Sequence, residues 1–343
     1  MKIKSIVFTA PCVAELLDAE IGEVGDDDVL VKIAYTTISA GTERANLIGD
    51  VNIDPTTKPR EGAVAVFPRT VGYCSSGTVV SVGKNVTEFK VNDRVVGAWS
   101  KHSSYCIFNK NKVIKIDDKI SLREAATCFI STFSLAGLRK TMPELGESVI
   151  ISGLGILGIF AVKFARIMGL YPIVAVDPNA ERRKMALSFG ADYTFDPYEE
   201  DFVKKVRTVT GKGANIAIEV TGRGEALNQV LDCLAKFGRV SLLGCTRNSE
   251  FEVDYYRKVH YPGITIVGAH TQARPRFESR PGFYTEMDDL KAILKLLSSG
   301  RLDFESMISE THSPEEAGDV FKRLAFDKNF PIGVQFDWSL LNE

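Results

Sequence analysis

The chain has 343 residues, of which 45% are hydrophobic and 25% are charged, so it is long enough for one large domain or for two. The formal net charge of −2 is spread along the sequence, without the basic runs that hold a nucleic acid or a membrane surface. The six cysteines form no Cys-x-x-Cys pair and the N-terminus is unlike a signal peptide, which predicts a reduced, cytoplasmic protein.

Two different sequence patterns follow one another along the chain. Up to about residue 120, short β-branched runs such as "DVLVKIAYTTI" and "GTVVSVG" are separated by turn residues, which predicts a mainly antiparallel β region. From Glu144, continuous apolar strands alternate with amphipathic helices, which predicts a parallel sheet covered on both faces. After the strand "GITIVGAHT" we expect a helix at "EMDDLKAILKLLSSG", a second helix beginning at Ser313, and a last strand "IGVQFDW".

The segment "SGLGILG" has the spacing G-x-G-x-x-G directly after an apolar strand and at the start of a helix. In that context Gly153 makes the turn, Gly155 lets the backbone approach a pyrophosphate, and Gly158 lets the helix pack on the strand. The helix begins at Ile156 and Leu157, so its N-terminus faces the phosphate charge. The segment therefore predicts a dinucleotide site, with a plain strand-to-helix turn as the alternative.

Asp177 ends the next strand, where a carboxylate accepts hydrogen bonds from the adenosine ribose hydroxyls, and this favours NAD over NADP. The alternatives are that Asp177 caps the next helix and that Arg182 holds a 2′-phosphate. Later strand ends lie at the same edge of the predicted sheet and are candidate cofactor contacts: Thr221, Gly244 and Cys245.

The order of these parts resembles the medium-chain dehydrogenase/reductase superfamily over nearly the whole chain, with "PELGESVIISGLGILG" opening the nucleotide domain. The resemblance implies an α/β fold with a Rossmann doubly wound parallel sheet and a mainly antiparallel β GroES-like catalytic domain. It implies a catalytic domain at 1–130, an NAD-binding domain at 131–273 and a return to the catalytic domain at 274–343. It also implies NAD as cofactor with Ala269 at the nicotinamide, a small-molecule substrate, and a homodimer or homotetramer.

The zinc-ligand motifs of this superfamily are altered in this sequence. The G-x-C-G-T-D-x-H motif becomes "ISAGTERA", the G-H-E motif becomes "GYC", and the third ligand falls in "TCFIS". Alanine, tyrosine and phenylalanine cannot form the tetrahedral N/S set of a zinc site, so we predict that the metal is lost. The alternative is a site rebuilt from Cys74, Cys128 or His102, although these are more often buried thiols and a surface imidazole. The residues at the altered positions are Ala40, Ala45, Tyr73, Cys74 and Phe129.

Four residues are candidates for the chemistry that zinc would otherwise perform. By resemblance, Thr42 is the hydroxyl that passes the proton towards the cofactor ribose. Tyr73 either binds the substrate oxygen or fills the space left by the metal. Glu43 either orients a neighbour or serves as base, with a buried structural carboxylate as the alternative. A neutral imidazole at His270 suits proton transfer near pH 7, but a core or interface histidine is the alternative.

The sequence thus predicts a zinc-independent, NAD-dependent oxidoreductase that interconverts a secondary alcohol and a ketone. The "SAGTER" and "GY" segments resemble the zinc-free branch that includes bacteriochlorophyllide dehydrogenase, from which Cys74 departs. Three arginines, Arg274, Arg276 and Arg280, favour a polyhydroxylated or anionic substrate such as a sugar or cyclitol. The alternatives are a reductase of activated C=C bonds and a non-catalytic NAD(H)-binding protein.

Overall fold

The computed structural model describes residues 1–60 and 62–341 and divides the chain into two compact units. The first unit is Met1–Ile130 with Leu290–Glu343, and the second is Ser131–Asp289. The second unit therefore continues past residue 273, where the sequence predicts the return to the first. Arg274 holds this extension, because its guanidinium lies 3.1 Å from the Asp289 carboxylate and donates to the backbone oxygen of Thr132.

Short strands with short helices between them form the N-terminal part of the first unit. In chain order they are β1 (Lys2–Ala10), β2 (Val13–Glu20), β3 (Asp28–Thr37), α1 (Ala40–Leu47), β4 (Arg69–Thr70), β5 (Cys74–Val82), β6 (Arg94–Ala98), β7 (Tyr105–Asn109), β8 (Val113–Lys115) and α2 (Leu122–Ala125).

Strands then alternate with helices through the second unit. They are α3 (Cys128–Lys140), β9 (Val149–Ser152), α4 (Ile156–Ile167), β10 (Ile173–Val176), α5 (Ala180–Ser188), β11 (Tyr193–Phe195), α6 (Phe202–Val209), β12 (Ala214–Glu219), α7 (Gly224–Cys233), β13 (Leu234–Leu242), a π-helix (Tyr256–His260) and β14 (Thr265–Gly268). The chain ends with α8 (Glu286–Ser298), β15 (Glu310–His312), α9 (Ala317–Phe326) and β16 (Val334–Asp337).

The first unit is built mainly by antiparallel pairing. A seven-stranded sheet runs β15-β16-β3-β5-β6-β8 with β7 also on β3, and a three-stranded sheet runs β2-β1-β4. Within these sheets only β15 and β16 pair in parallel, as far as the described residues show. Along β3 every second residue, Val29, Val31 and Ile33, enters the core, as expected of a strand with one covered face. The predicted antiparallel region is confirmed.

The second unit contains a six-stranded sheet in the order β11-β10-β9-β12-β13-β14, and the pairs along it are parallel. Every residue of β9 and β10 is buried, because helices cover both faces of such a sheet. The strand order reverses between β9 and β12, and ligands bind doubly wound sheets at the carboxyl ends of the strands beside this point. The predicted α/β class with a doubly wound parallel sheet is confirmed.

The C-terminal elements also follow the sequence. Helix α8 occupies the predicted "EMDDLKAILKLLS" segment. Ser313 caps the next helical turn, and the Glu316 carboxylate accepts a hydrogen bond from the Ser313 N–H at 2.9 Å, which completes a capping box. None of the helices in residues 1–60 and 62–341 combines the length and apolarity needed to cross a bilayer.

Candidate functional site

A sharp turn joins β9 to α4 and carries the glycine motif. Gly153 has a φ of +95°, a left-handed conformation that glycine adopts without strain. A Cβ on Gly158 would lie 1.9 Å from the Gly153 carbonyl oxygen, so only glycine fits there. A Cβ on Gly155 would meet no other atom of the described residues within 4 Å. Gly155 is the N-cap of α4, which begins with Ile156 and Leu157, and the free N–H groups of a helix N-terminus can bind phosphate.

Asp177 connects the glycine turn to the loop after β10. Its carboxylate is 6% exposed and accepts 2.8 Å hydrogen bonds from the backbone N–H groups of Leu154 and Asn179. The N-cap of α5 is Asn179, which accepts from the Arg182 N–H, so Asp177 does not cap the helix. Each carboxylate oxygen retains a lone pair for a ribose hydroxyl. The Arg182 guanidinium lies 3.9 Å from the same carboxylate and partly neutralises it.

The ends of β12 and β13 meet backbone to backbone at the same edge of the sheet. The buried Glu219 carboxyl accepts from the N–H groups of Thr221 (2.7 Å) and Gly222 (3.0 Å), and burial raises its pKa. A Cβ on Gly244 would lie 2.3 Å from the Gly222 nitrogen, which requires glycine there. Cys245 follows as an exposed free thiol.

Past β14, Ala269 is buried and His270 is half-buried. Burial and then the charge of Lys140 lower the pKa of His270, so its imidazole is neutral at pH 7. The Gln272 N–H donates to Nδ1 of His270 at 3.3 Å, which leaves the hydrogen on Nε2. Lys140 is 5% exposed and donates to the Gly268 oxygen at 2.8 Å. Sequence reasoning missed Lys140, because a lysine at a helix C-terminus carries no local signal.

In the first unit, three aromatic rings come together from different parts of the chain. Trp99 contacts Tyr73 edge to face with ring centroids 5.2 Å apart, and contacts Phe129 at 5.4 Å. The Phe129 N–H donates to the Cys74 thiol at 3.1 Å, and burial raises the pKa of that thiol to about 12. Trp99 has a φ of +62°, a backbone conformation that costs a non-glycine residue roughly 1–3 kcal/mol. We call Tyr73, Trp99 and Phe129 the aromatic cluster.

The aromatic cluster brings together the residues that stand at two zinc-ligand positions, Tyr73 and Phe129, and adds Trp99, which sequence reasoning missed. No three histidine, cysteine, aspartate or glutamate residues lie together as a metal-binding group in residues 1–60 and 62–341. Burial and then Cys74 raise the pKa of Cys128 well above its usual range.

Helix α1 carries Thr42 and Glu43. Thr42 is half-buried and its backbone oxygen accepts from the Asn46 amide at 2.9 Å, while Ala45 is buried. Glu43 is 1% exposed and lies 3.1 Å from Nε2 of His102. The interpretation of His102 as a surface imidazole is wrong, because its ring is 0% exposed and both nitrogens are paired. The strand residues that enclose it are distant in sequence, so no local pattern indicates its burial.

Comparison with known proteins follows the same division. A family model described as an alcohol dehydrogenase GroES-like domain matches residues 25–122, and one described as a zinc-binding dehydrogenase matches residues 157–283. L-threonine 3-dehydrogenase of Pyrococcus furiosus is 28% identical over 341 residues, with 91% of this chain and 92% of the relative covered. D-guloside 3-dehydrogenase of Escherichia coli is 26% identical over 334 residues, with 91% and 94% covered.

Galactitol-1-phosphate dehydrogenase from Escherichia coli has the same fold, with a TM-score of 0.82 at 19% identity over 97% of this chain and 99% of that one. The chain belongs to the medium-chain dehydrogenase/reductase superfamily. As a member of this superfamily it is an alcohol dehydrogenase/ketone reductase that uses an NAD-type cofactor as hydride acceptor and donor.

The residues present fit such a cofactor. The space at Gly155 would admit the pyrophosphate, the N-terminus of α4 would face its charge, and Asp177 would offer acceptors to the ribose. The side chains at the zinc-ligand positions of the superfamily do not fit a zinc ion, because Tyr73 and Phe129 place aromatic rings there.

The three arginines in the loop after β14 of this dehydrogenase differ in their exposure and in their partners. Gln272, Arg274, Arg280 and Phe283 line an open cavity of about 760 Å³, together with Glu278. The Arg274 side chain is only 4% exposed and is ion-paired with Asp289. Arg276 is exposed, and the Arg280 guanidinium lies 5.1 Å from the Phe283 ring centre. Arg274 therefore has a structural partner, while Arg276 and Arg280 are accessible.

Proposed function

We propose that this enzyme interconverts a secondary alcohol and a ketone with NAD and without zinc, on a polyhydroxylated substrate such as a sugar or cyclitol. The observation that carries the proposal is the aromatic cluster, with Tyr73 and Phe129 at two ligand positions and the Cys74 thiol accepting from the Phe129 N–H. A phenol, an aryl ring and a buried neutral thiol do not form the tetrahedral N/S set that zinc requires.

The loss of zinc leaves two tasks to side chains, since the metal polarises the alcohol oxygen and lowers its pKa. In our proposal the Tyr73 hydroxyl binds the substrate oxygen and Thr42 moves its proton. His270 has a lowered pKa and is neutral at pH 7, which suits a second group that accepts or returns a proton. Positioned acid–base groups of this kind contribute roughly 10²–10⁴-fold to the rate.

The preference for NAD over NADP rests on Asp177. Its carboxylate is buried, is held by two backbone N–H groups, and would lie against a 2′-phosphate as a like charge. Arg182, 3.9 Å away, is the residue that would favour the phosphate. We propose that the carboxylate dominates, because it is fixed by two hydrogen bonds.

The substrate class rests on two features. D-guloside 3-dehydrogenase, a relative over 91% of this chain, is named for a sugar derivative. Tyr73 and Trp99 of the aromatic cluster are half-buried and offer ring surface of the kind that packs against the C–H face of a sugar ring.

We also propose that the enzyme is a cytoplasmic homodimer or homotetramer. Strand β14 lies at the edge of the six-stranded sheet and, among the described residues, pairs only with β13. An uncovered edge strand offers a row of backbone groups to a second copy of the chain.

The test is metal content and turnover measured on the same preparation. We expect protein purified without chelators to hold far less than one zinc per subunit, and to reduce NAD with a sugar or cyclitol at a rate that chelation does not change. Cys74→Ala and Cys128→Ala serve as matched variants and should keep activity. Stoichiometric zinc, lost together with activity in either variant, would show that the thiols have rebuilt a metal site. Reduction of enones without activity on any alcohol would show that the reaction type is wrong.

A further inference from the structure

A buried chain of hydrogen bonds runs from β16 to the start of α1 in the first unit. The Trp338 indole N–H donates to the Thr36 hydroxyl at 3.1 Å, and that hydroxyl lies 2.7 Å from Nδ1 of His102. Nε2 of His102 lies 3.1 Å from one Glu43 oxygen, and the other accepts from the Ser39 N–H at 2.9 Å. All five residues are at most 8% exposed.

The direction of each bond in this chain can be assigned. An indole N–H only donates, so the Thr36 oxygen accepts from Trp338. The Thr36 hydrogen then needs an acceptor, and among the described residues the only one in reach is Nδ1 of His102. Nδ1 is therefore unprotonated, and Nε2 carries the hydrogen that it donates to Glu43.

The walls around the imidazole exclude other polar partners. The rings of Phe336 and Phe321 lie edge to face with that of His102, with centroids 5.6 Å and 6.1 Å away. A buried polar group that lacks its partner costs about 1–3 kcal/mol, so the bonds to Thr36 and Glu43 restrict the ring to one orientation.

This chain of hydrogen bonds cannot move a proton through the protein, because it ends at Trp338, whose indole N–H has no lone pair to accept one. It can only hold its members in place. Glu43 is bonded to the backbone of Ser39, which precedes α1, and Thr42 is the adjacent residue on that helix. Fixing Glu43 therefore fixes the first turn of α1.

We infer that His102 is a positioning residue that donates from Nε2 to Glu43 and thereby holds the helix turn that carries Thr42. The effect on turnover rests on the proposed role of Thr42, but the tautomer and the rigidity of α1 do not. A displacement of a reacting group by about 1 Å costs roughly 10²-fold in rate, which gives His102 leverage without contact to the substrate.

The direct test is the nitrogen spectrum of the histidines in the full-length protein labelled with ¹⁵N-histidine. His102→Asn identifies the signals of His102 by their loss. We expect the unsubstituted protein to show the Nε2–H tautomer at His102. In Glu43→Gln, the amide offers a single acceptor oxygen to the Ser39 N–H and the Nε2–H of His102, and the carboxylate charge is lost, so the Nε2 signal of His102 should shift.

A matched control exists in the same unit. Nε2 of His312 lies 2.8 Å from Glu310, so Glu310→Gln makes the same change beside a different histidine and should leave the signals of His102 unchanged. An Nδ1–H tautomer in the unsubstituted protein, or an unchanged Nε2 signal in Glu43→Gln, overturns the inference. If Glu43→Gln does not fold, Thr36→Val replaces it. That variant should shift the indole N–H signal of Trp338 but not that of Trp99, whereas Thr36→Ser should shift neither.

Hydrogen exchange and kinetics then test the positioning itself. In His102→Asn we expect amide exchange in α1 to be at least about tenfold faster, with exchange in α4 unchanged. Once a substrate is in hand, kcat should fall about 10–100-fold while the Kd for NADH stays the same. Unchanged exchange in α1 overturns the positioning role. Faster exchange in α1 without a change in kcat upholds the positioning of α1 and counts against the proposed role of Thr42.

Discussion

The two units of this enzyme make their candidate sites in opposite ways. The turn in the second unit is built from backbone, and its requirements fall on Gly153 and Gly158, which are close in sequence. The aromatic cluster of the first unit is built from side chains, and its members come from three separate segments. A site built from backbone tolerates almost no substitution that changes its geometry. A site built from side chains can change its functional groups by substitution while the fold stays the same. That difference would allow a dehydrogenase to keep its nucleotide turn while the side chains at its metal-ligand positions change, as we propose for this enzyme.

The largest effect should come from breaking the backbone site. Gly158→Ala places a Cβ 1.9 Å from the Gly153 oxygen, so the turn and the start of α4 must move apart. We expect a loss of roughly 1–3 kcal/mol in unfolding free energy and a Kd for NADH raised beyond measurement. Urea denaturation and fluorescence titration measure the two quantities.

Gly155→Ala is the matched control, since its Cβ meets no other atom of the described residues within 4 Å. Stability should be unchanged or slightly higher, while NADH binding weakens because the methyl group occupies the space left for the pyrophosphate. Equal losses of stability in both variants would show that the turn is only a structural element.

The contrast also explains what the sequence could reveal. The glycine spacing, the strand before it and Asp177 after it are local features, so the parallel sheet and the cofactor turn could be predicted from them. The capping box at Ser313 was readable for the same reason.

The first unit was only partly readable. Motif positions located Tyr73 and Phe129, but nothing local indicates that Trp99 lies between them or that His102 turns inward to Glu43. Those contacts depend on the register of strands paired across distant parts of the chain. Arg274 shows the same limit, because its partner Asp289 follows a loop that composition alone marks as polar.

A smaller and more specific effect should follow from Tyr73→Phe. The ring is kept, so the edge contact to Trp99 persists and stability should change by less than about 1 kcal/mol. Loss of a hydroxyl that binds the substrate oxygen should lower kcat about 10²-fold or more while the Kd for NADH is unchanged.

Phe129→Leu is the comparison variant for the cluster. It removes ring surface without removing a hydroxyl, so we expect lower stability by roughly 1 kcal/mol and a modest change in kcat. If Tyr73→Phe keeps full activity, the Tyr73 side chain only fills space, and its hydroxyl does not bind the substrate oxygen.

The smallest effect concerns a histidine whose setting contrasts with that of His102. His312 is 18% exposed and bridges Glu310 and Glu316, each at 2.8 Å. Burial alone would lower the pKa of His312, but the hydrogen bonds to the two carboxylates outweigh it and raise the pKa above the ordinary 6.5. The interaction of protonated His312 with the two carboxylates therefore stabilises the fold in full below the ordinary histidine pKa, and this contribution is lost as the pH rises through the raised pKa.

His312→Gln should accordingly lower the unfolding free energy by up to about 1 kcal/mol near pH 6 and by much less in alkaline solution, because partly exposed ion pairs are weak. Denaturation across that range measures the difference. His260→Gln is the control, since His260 has no carboxylate partner among the described residues. If His312→Gln lowers the unfolding free energy by the same amount at every pH, the His312 ring stabilises the fold by packing and its charge contributes nothing.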